Sequence, residues 1–192
     1  MLRSTRGYSL VELAIALVLF GFLMALAYPN LSSWLTNLKI RATAEKIQSG
    51  LQFARSEALR KNTPVSFYFV DGLSNSCALS AIGSSGIVAQ MSPAGACGAA
   101  PSDTDAPRIL RKELLSEGAT TISATDGVLA KSSVTFNGMG RVVTTSSWFS
   151  RVEVDAGPQD SNRKMRIQIS AGGRIRLCDP AVSSVADARR CD

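Results

Sequence analysis

The residue with the most specific chemical demand in this sequence is Glu12, a carboxylate at the start of a long apolar stretch. No charged residue follows it from Leu13 to Ala27. An ionised side chain placed in hydrocarbon costs about 2.5–3.5 kcal/mol on insertion scales. A glutamate at this position therefore needs a cationic partner. Pairing with a cation would neutralise both buried charges.

The segment before Glu12 combines a basic leader, a glycine and an aromatic residue. Arg3 and Arg6 precede Gly7, and Tyr8 follows it directly. This pattern resembles the type III signal of type IV prepilins and pseudopilins. The resemblance implies that a membrane-bound prepilin peptidase cuts between Gly7 and Tyr8, that the new amino group of Tyr8 is methylated, and that Glu12 steers subunit assembly. Family members usually begin with Phe after cleavage, so Tyr8 is a departure that a membrane interface can accept.

Two other interpretations explain this N-terminal segment less well. A secretory signal has a charged start and a short apolar run, but here the run continues into a helix-compatible pattern. A plain signal anchor would explain the apolar run and its flanking charges. It would not explain Gly7 and Glu12 at this spacing. For Glu12 itself, the alternative to pairing is a side chain that reaches toward the lipid headgroups.

The composition allows one small domain after the N-terminal helix. The chain has 192 residues, of which 45% are hydrophobic and only 6% aromatic, so we expect a core of Ala, Val, Ile and Leu. The formal net charge is +6, and the last 30 residues carry 7 basic and 3 acidic groups. The C-terminal region is therefore a basic tail on a mildly acidic head.

The residue types argue against an enzyme. The sequence contains no histidine, which removes Ser-His-Asp and Cys-His triads and every His-containing metal site. Residues 161–164 fit the S-x-x-K pattern by letter, but they precede a predicted strand, whereas that motif needs a helix. No cluster of carboxylates indicates a metal site. We therefore expect no catalytic residue, no cofactor and no metal.

The four cysteines predict disulfides, because their even number occurs in a chain that the leader would send across the inner membrane. Sequence order favours the pairs Cys77–Cys97 and Cys178–Cys191, since each would close a short loop. Free buried thiols are the alternative.

The basic tail contains a candidate phosphate-binding cluster formed by Lys164, Arg166, Arg174 and Arg176. If the Gly172-Gly173 turn closes a hairpin, these residues lie on two adjacent strands. Such a cluster could bind double-stranded DNA weakly, with strong salt dependence and little sequence preference. The alternatives are a solvated strand face or charges that face a neighbouring pilin.

One long helix is predicted from Tyr8 to Lys61, with Pro29 between its halves. Residues 8–29 are apolar all round and fit a transmembrane segment, whereas residues 30–61 are amphipathic. The amphipathic half carries an apolar stripe composed of Ile40, Ala44, Ile47, Leu51, Ala54 and Ala58. The expected organisation is a leader at 1–7, these two helix halves, and a β-rich head at 62–192.

Short strands separated by Gly, Ser and Asp are predicted throughout the head. They are Val65–Val70, Ala78–Ile82, Ile87–Met91, Arg108–Leu115, Ala119–Ser123, Ser133–Phe136, Gly140–Val143, Arg151–Asp155, Lys164–Ser170 and Arg174–Leu177. A stretch rich in Gly and Pro from Ser92 to Pro107 is predicted to be a loop that projects from the sheet.

Three segments of the head resemble the GspH and FimT/FimU branch of the pilin family: Gln52–Ala58, Val134–Arg141 and Gly173–Arg176. The resemblance implies an α+β pilin fold, in which a long N-terminal helix, transmembrane and then amphipathic, packs on an antiparallel β-sheet head. It also implies a minor pilin of FimU/FimT type. In FimT-type pilins the G-R-x-R element resembles a DNA-uptake site.

The location and partners also follow from this resemblance. The chain would cross the inner membrane once with its head in the periplasm, and would then enter the tip of a type IV pilus. Its partners would be other major and minor pilins, the prepilin peptidase and the inner membrane, with double-stranded DNA as a further candidate. The alternative is a minor pseudopilin of a type II secretion system.

Overall fold

A computed structural model describes residues 9–116, 120–144, 147–156 and 163–191, without the side chains of residues 25–30. The predicted leader and its cleavage site, Gly7 and Tyr8, lie outside the described residues. The chain forms two compact units, Met1–Leu35 and Thr36–Asp192.

Helix α1 spans Leu10–Lys61, and its backbone is helical across Pro29. In the N-terminal unit its apolar side chains are exposed, with Leu10 at 83% and Val18 at 72%. Within the described part of the chain, we find no helix with the length and hydropathy required to cross a membrane. Part of the segment 8–29, for which a transmembrane helix is predicted, lies outside the description.

The head contains eight strands: β1 Val65–Val70, β2 Ser85–Ala89, β3 Ile109–Leu114, β4 Thr121–Thr125, β5 Ser133–Phe136, β6 Arg151–Asp155, β7 Met165–Ile169 and β8 Ile175–Cys178. They form two antiparallel four-stranded sheets with the orders β3-β2-β1-β5 and β4-β6-β7-β8. The predicted α+β class is confirmed, and the strands divide into two sheets where one was expected.

The C-terminal half of α1 and both sheets share one core. The predicted apolar stripe of α1 is confirmed, because all six of its side chains are fully buried in that core. Phe67 and Phe69 of β1 pack edge to face with their ring centroids 5.0 Å apart. Fully burying an aliphatic or Phe side chain contributes roughly 1.5–3 kcal/mol. All members of this core belong to Thr36–Asp192, so we expect this unit to fold on its own.

Two predicted strands are wrong. Ala78–Ile82 contributes only an isolated bridge between Val70 and Leu79, and Gly140–Val143 contributes only one between Phe136 and Val142. In the first case the Gly83 amide donates to the Ser80 carbonyl at 3.1 Å, so the segment turns directly after the bridge and does not extend as a strand.

The segment from Ser92 to Pro107 is a loop, as predicted, but it lies against the sheet and does not project from it. Cys97 is fully buried in a second small cluster with Val70, Ile87 and Ile109. Lys112 of β3 donates from Nζ to the carbonyls of three successive loop residues, Cys97, Gly98 and Ala99, at 3.3, 3.1 and 3.1 Å. The loop is rich in Gly and Pro, which disfavour regular secondary structure. The Cys77–Cys97 disulfide and Lys112 hold it in place.

Candidate functional site

Glu12 lies in the first turn of α1 and is exposed to solvent. A carboxylate at this position is favoured by the partial positive charge at a helix N-terminus. No described residue forms an ion pair or a hydrogen bond with its side chain. It can therefore accept a cation from outside the described residues, including the amino group of another chain.

The basic hairpin that the sequence predicts is present. Strands β7 and β8 pair in antiparallel register, with Gln168 opposite Arg176 and Ile169 opposite Ile175. The turn between them is closed by the amide of Ser170, which donates to the carbonyl of Arg174 at 3.0 Å. Alternation puts Ile167 and Ile169 in the core and leaves the arginines on the outer face.

Two of the four predicted phosphate ligands are engaged with acidic neighbours. Arg166 donates from Nη2 to Glu153 Oε1 at 2.6 Å, and Lys164 Nζ lies 3.0 Å from an Asp155 carboxylate oxygen. Both acids come from β6, the strand next to β7. The sequence predicts that all four basic residues lie on the hairpin. The acids of the neighbouring strand neutralise Lys164 and Arg166.

Arg176 fastens the C-terminal segment to the hairpin. Its Nη2 donates to the carbonyls of Ala188 and Arg190 at 2.8 and 2.9 Å. The Cys178–Cys191 disulfide and a parallel bridge between Asp179 and Arg190 hold the same segment. The predicted disulfides are thus confirmed, because Cys77–Cys97 is also formed.

A cavity of about 230 Å³ lies on the outer face at the turn end of the hairpin. It is lined by Ser150, Arg151, Gln168, Ile169, Ser170, Arg174 and Arg176. Arg151 is a residue that sequence reasoning missed. Its outward position could be read from the alternation of β6, but its pairing with Gln168, and through Gln168 its place in one row with Arg176, depends on the order of strands in the sheet.

A junction of glycines positions the turn that carries Arg174. Gly173 has a positive φ of 83°, and a Cβ there would overlap the carbonyl oxygen of Gly140. That same oxygen accepts a hydrogen bond from Arg55 Nε of helix α1 at 3.0 Å. Arg55, Gly140 and Gly173 come from the three segments that carry the family resemblance, so those segments meet at one structural contact.

Other charged groups of the head form surface pairs, among them Arg189 with Asp187. Arg189 hydrogen-bonds Asp187 at 2.7 Å and lowers the pKa of that carboxyl to about 2. Within the described ranges, no three His, Cys, Asp or Glu side chains are grouped as a metal site. Three arginines, Arg151, Arg174 and Arg176, line the cavity at the hairpin turn.

Two family models match the chain. One, described as Type II transport protein GspH, matches residues 43–173. The other, described as a prokaryotic N-terminal methylation motif, matches residues 2–28. No curated protein matches the sequence significantly.

Several solved structures are similar to this chain. A crystal structure of the Pseudomonas aeruginosa type IV minor pilin FimU has 17% identity and a TM-score of 0.49, with 76% of this chain and 95% of that chain covered. The minor pseudopilin EpsH from the type 2 secretion system of Vibrio cholerae has 12% identity and a TM-score of 0.49, with 75% and 99% covered. Escherichia coli GspH has 14% identity and a TM-score of 0.45, with 77% and 92% covered.

Proposed function

The chain belongs to the GspH family of minor pilins and pseudopilins, and we propose that it is a minor pilin of FimU/FimT type at or near the tip of a type IV pilus. The order Gly7, Tyr8, Glu12 inside the matched methylation motif supports processing and assembly. The prepilin peptidase would cut after Gly7, and Tyr8 would then be methylated. The processed chain would lie in the inner membrane with its head in the periplasm until it enters the filament.

Assembly would depend on Glu12 and on the exposed apolar side chains around it. In a bundle of such helices, those side chains would pack against neighbouring subunits or lipid. The Glu12 carboxylate would pair with the amino group of a neighbouring subunit and so avoid the cost of an unpaired charge in an apolar bundle. A head with its own core would then lie on the outside of the filament.

The second candidate is a minor pseudopilin of a type II secretion system, which the description of the matched family favours. The disulfide-closed C-terminal segment and the Gly173-Arg174-Ile175-Arg176 element favour the pilus. Deletion of the gene with complementation separates the two. We expect surface pili to be lost and the level of secreted proteins to be unchanged. Loss of secretion with normal pili would favour the pseudopilin, and no effect on either would contradict both.

DNA binding is a further activity that the basic hairpin supports, through Arg174 and Arg176 with Lys164 and Arg166 beside them. Because Lys164 and Arg166 already have acidic partners, we expect affinity no better than the nonspecific range of about 10⁻⁴–10⁻⁶ M. The variant Arg174→Gln with Arg176→Gln should lose this binding to a DNA duplex. Equal binding by the variant and the parent would remove these two arginines from any DNA site.

A further inference from the structure

Arg151 is a half-buried cation on the outer face of the second sheet. Among the described residues, none forms an ion pair or a hydrogen bond with its guanidinium. The acids closest to it in sequence have other cations: Glu153 pairs with Arg166, and Asp155 with Lys164. A charge that is partly withdrawn from water without a partner is unfavourable, so this position favours the arrival of an anion.

The surroundings of Arg151 are suited to an anion. It shares a cross-strand row with Gln168 and Arg176, and Arg174 lines the same cavity. Every charged side chain among the described lining residues is an arginine. Since a water molecule occupies about 30 Å³ in the liquid, the cavity of about 230 Å³ has room for an oxyanion group and some water.

The extent of the positive surface decides what kind of anion fits. The next row of the same face contains Glu153 opposite Arg166, and its ion pair neutralises that row. Beyond it, Asp155 and Lys164 form a second pair. Acids of β6 thus neutralise Arg166 and Lys164, the basic residues that lie beyond the cavity on this face. A DNA backbone gains affinity when several of its phosphates contact a row of basic residues. A single carboxylate needs only one basic cavity.

We propose that this cavity, formed around Arg151, binds the carboxylate of an Asp or Glu side chain on a neighbouring filament subunit. This inference rests on the proposed function, since it requires such a neighbour. The guanidinium of Arg151 would donate two parallel hydrogen bonds to the carboxylate oxygens, a geometry that a lysine cannot reproduce. The cavity would fix the rotation of one head relative to the next.

The test uses the full chain in detergent micelles, titrated with a fluorescent oligoglutamate peptide and, separately, with a short DNA duplex. We expect oligoglutamate to bind with strong salt dependence, and Arg151→Gln to weaken it by about tenfold, the scale of one charge-assisted hydrogen bond. Arg151→Lys should recover only part of the affinity. Arg141→Gln, at an exposed arginine outside the cavity lining, is the matched control and should bind like the parent.

Each other outcome overturns the proposal. Duplex binding that depends on Arg151, without oligoglutamate binding, would make the cavity a phosphate site. Binding of neither probe would show that the cavity is not a carboxylate site. An equal loss of oligoglutamate binding in Arg151→Gln and Arg141→Gln would show the same. Retention of both disulfides by mass confirms that a variant is folded. The assay needs neither leader cleavage nor assembly, so its failure is distinguishable from failure of the proposed function.

Discussion

Phenylalanine side chains are exposed in the N-terminal unit of this chain and buried in the head. In the N-terminal unit Phe20 and Phe22 are 58% and 64% exposed, whereas in the head Phe67 and Phe69 are 2% and 0% exposed. The head buries a core of apolar residues within itself and contains two disulfides. The apolar residues of the N-terminal unit are exposed, and we expect other molecules to cover them. A substitution in one unit should therefore affect assembly, and a substitution in the other should affect stability.

The largest effect is expected from Glu12→Leu. The variant should still be cut after Gly7, but it should be absent from sheared filaments because the charge that would pair with a neighbouring subunit is lost. The thermal unfolding of its head should match the parent to within about 0.5 kcal/mol, as for substitutions away from a core. Incorporation of the Glu12→Leu variant into filaments at the parental level would contradict the role of Glu12 in assembly.

Removal of the buried disulfide should give the largest change in the stability of the head. In the fragment Thr36–Asp192, Cys77→Ser with Cys97→Ser should lower the free energy of unfolding by about 3 kcal/mol, as loop-closure entropy predicts. Urea unfolding measures this change. A change below about 1 kcal/mol, outside the usual range for a native disulfide, would mean that the loop is held mainly by Lys112.

A smaller loss is expected for Gly173→Ala, whose Cβ would meet the Gly140 carbonyl at a positive φ. Backbone strain of this kind costs about 1–3 kcal/mol. Gly172→Ala is the matched control, because the nearest atom to its Cβ would be Ser170 Oγ at 3.8 Å. Equal stability of the two variants would show that the junction with Arg55 does not constrain the turn.

The smallest effect concerns pH. Arg189 lowers the pKa of Asp187 from 3.8 to about 2, so the pair stabilises the fold above the ordinary carboxyl pKa and this contribution is lost as pH falls through about 2. NMR titration of the Asp187 carboxyl measures the midpoint. Arg189→Gln should return the pKa toward 3.8. An unchanged midpoint in that variant would remove Arg189 as the cause.

Local sequence pattern was sufficient for the apolar stripe of α1 and for the bounds of β1. The stripe has helical spacing and is fully buried, as predicted. The strand Val65–Val70 was predicted from its β-branched and aromatic residues, and it has the predicted bounds. The disulfide pairs also followed from sequence order, because each closes a short loop within one region.

Sequence reasoning failed where neighbours distant in the chain decide the outcome. The alternation of Lys164–Ser170 predicted which side chains face outward, but not that Glu153 and Asp155 of β6 would neutralise Arg166 and Lys164. The same sheet order places Arg151 and Arg176 on either side of Gln168 in one cross-strand row. The loop at 92–107 was predicted to project because its breakers exclude a strand, yet they do not exclude packing against one.

The exposed apolar residues of the N-terminal unit have a role in filament assembly only if this unit is processed like a prepilin. The most direct measurement is the N-terminal peptide mass of the full chain, purified from cells that contain a prepilin peptidase. The account predicts a chain that begins at Tyr8 with a methylated amino group, and a Gly7→Leu variant that keeps all seven leader residues. A parent chain that still begins at Met1, or that is cut at another position, would contradict it.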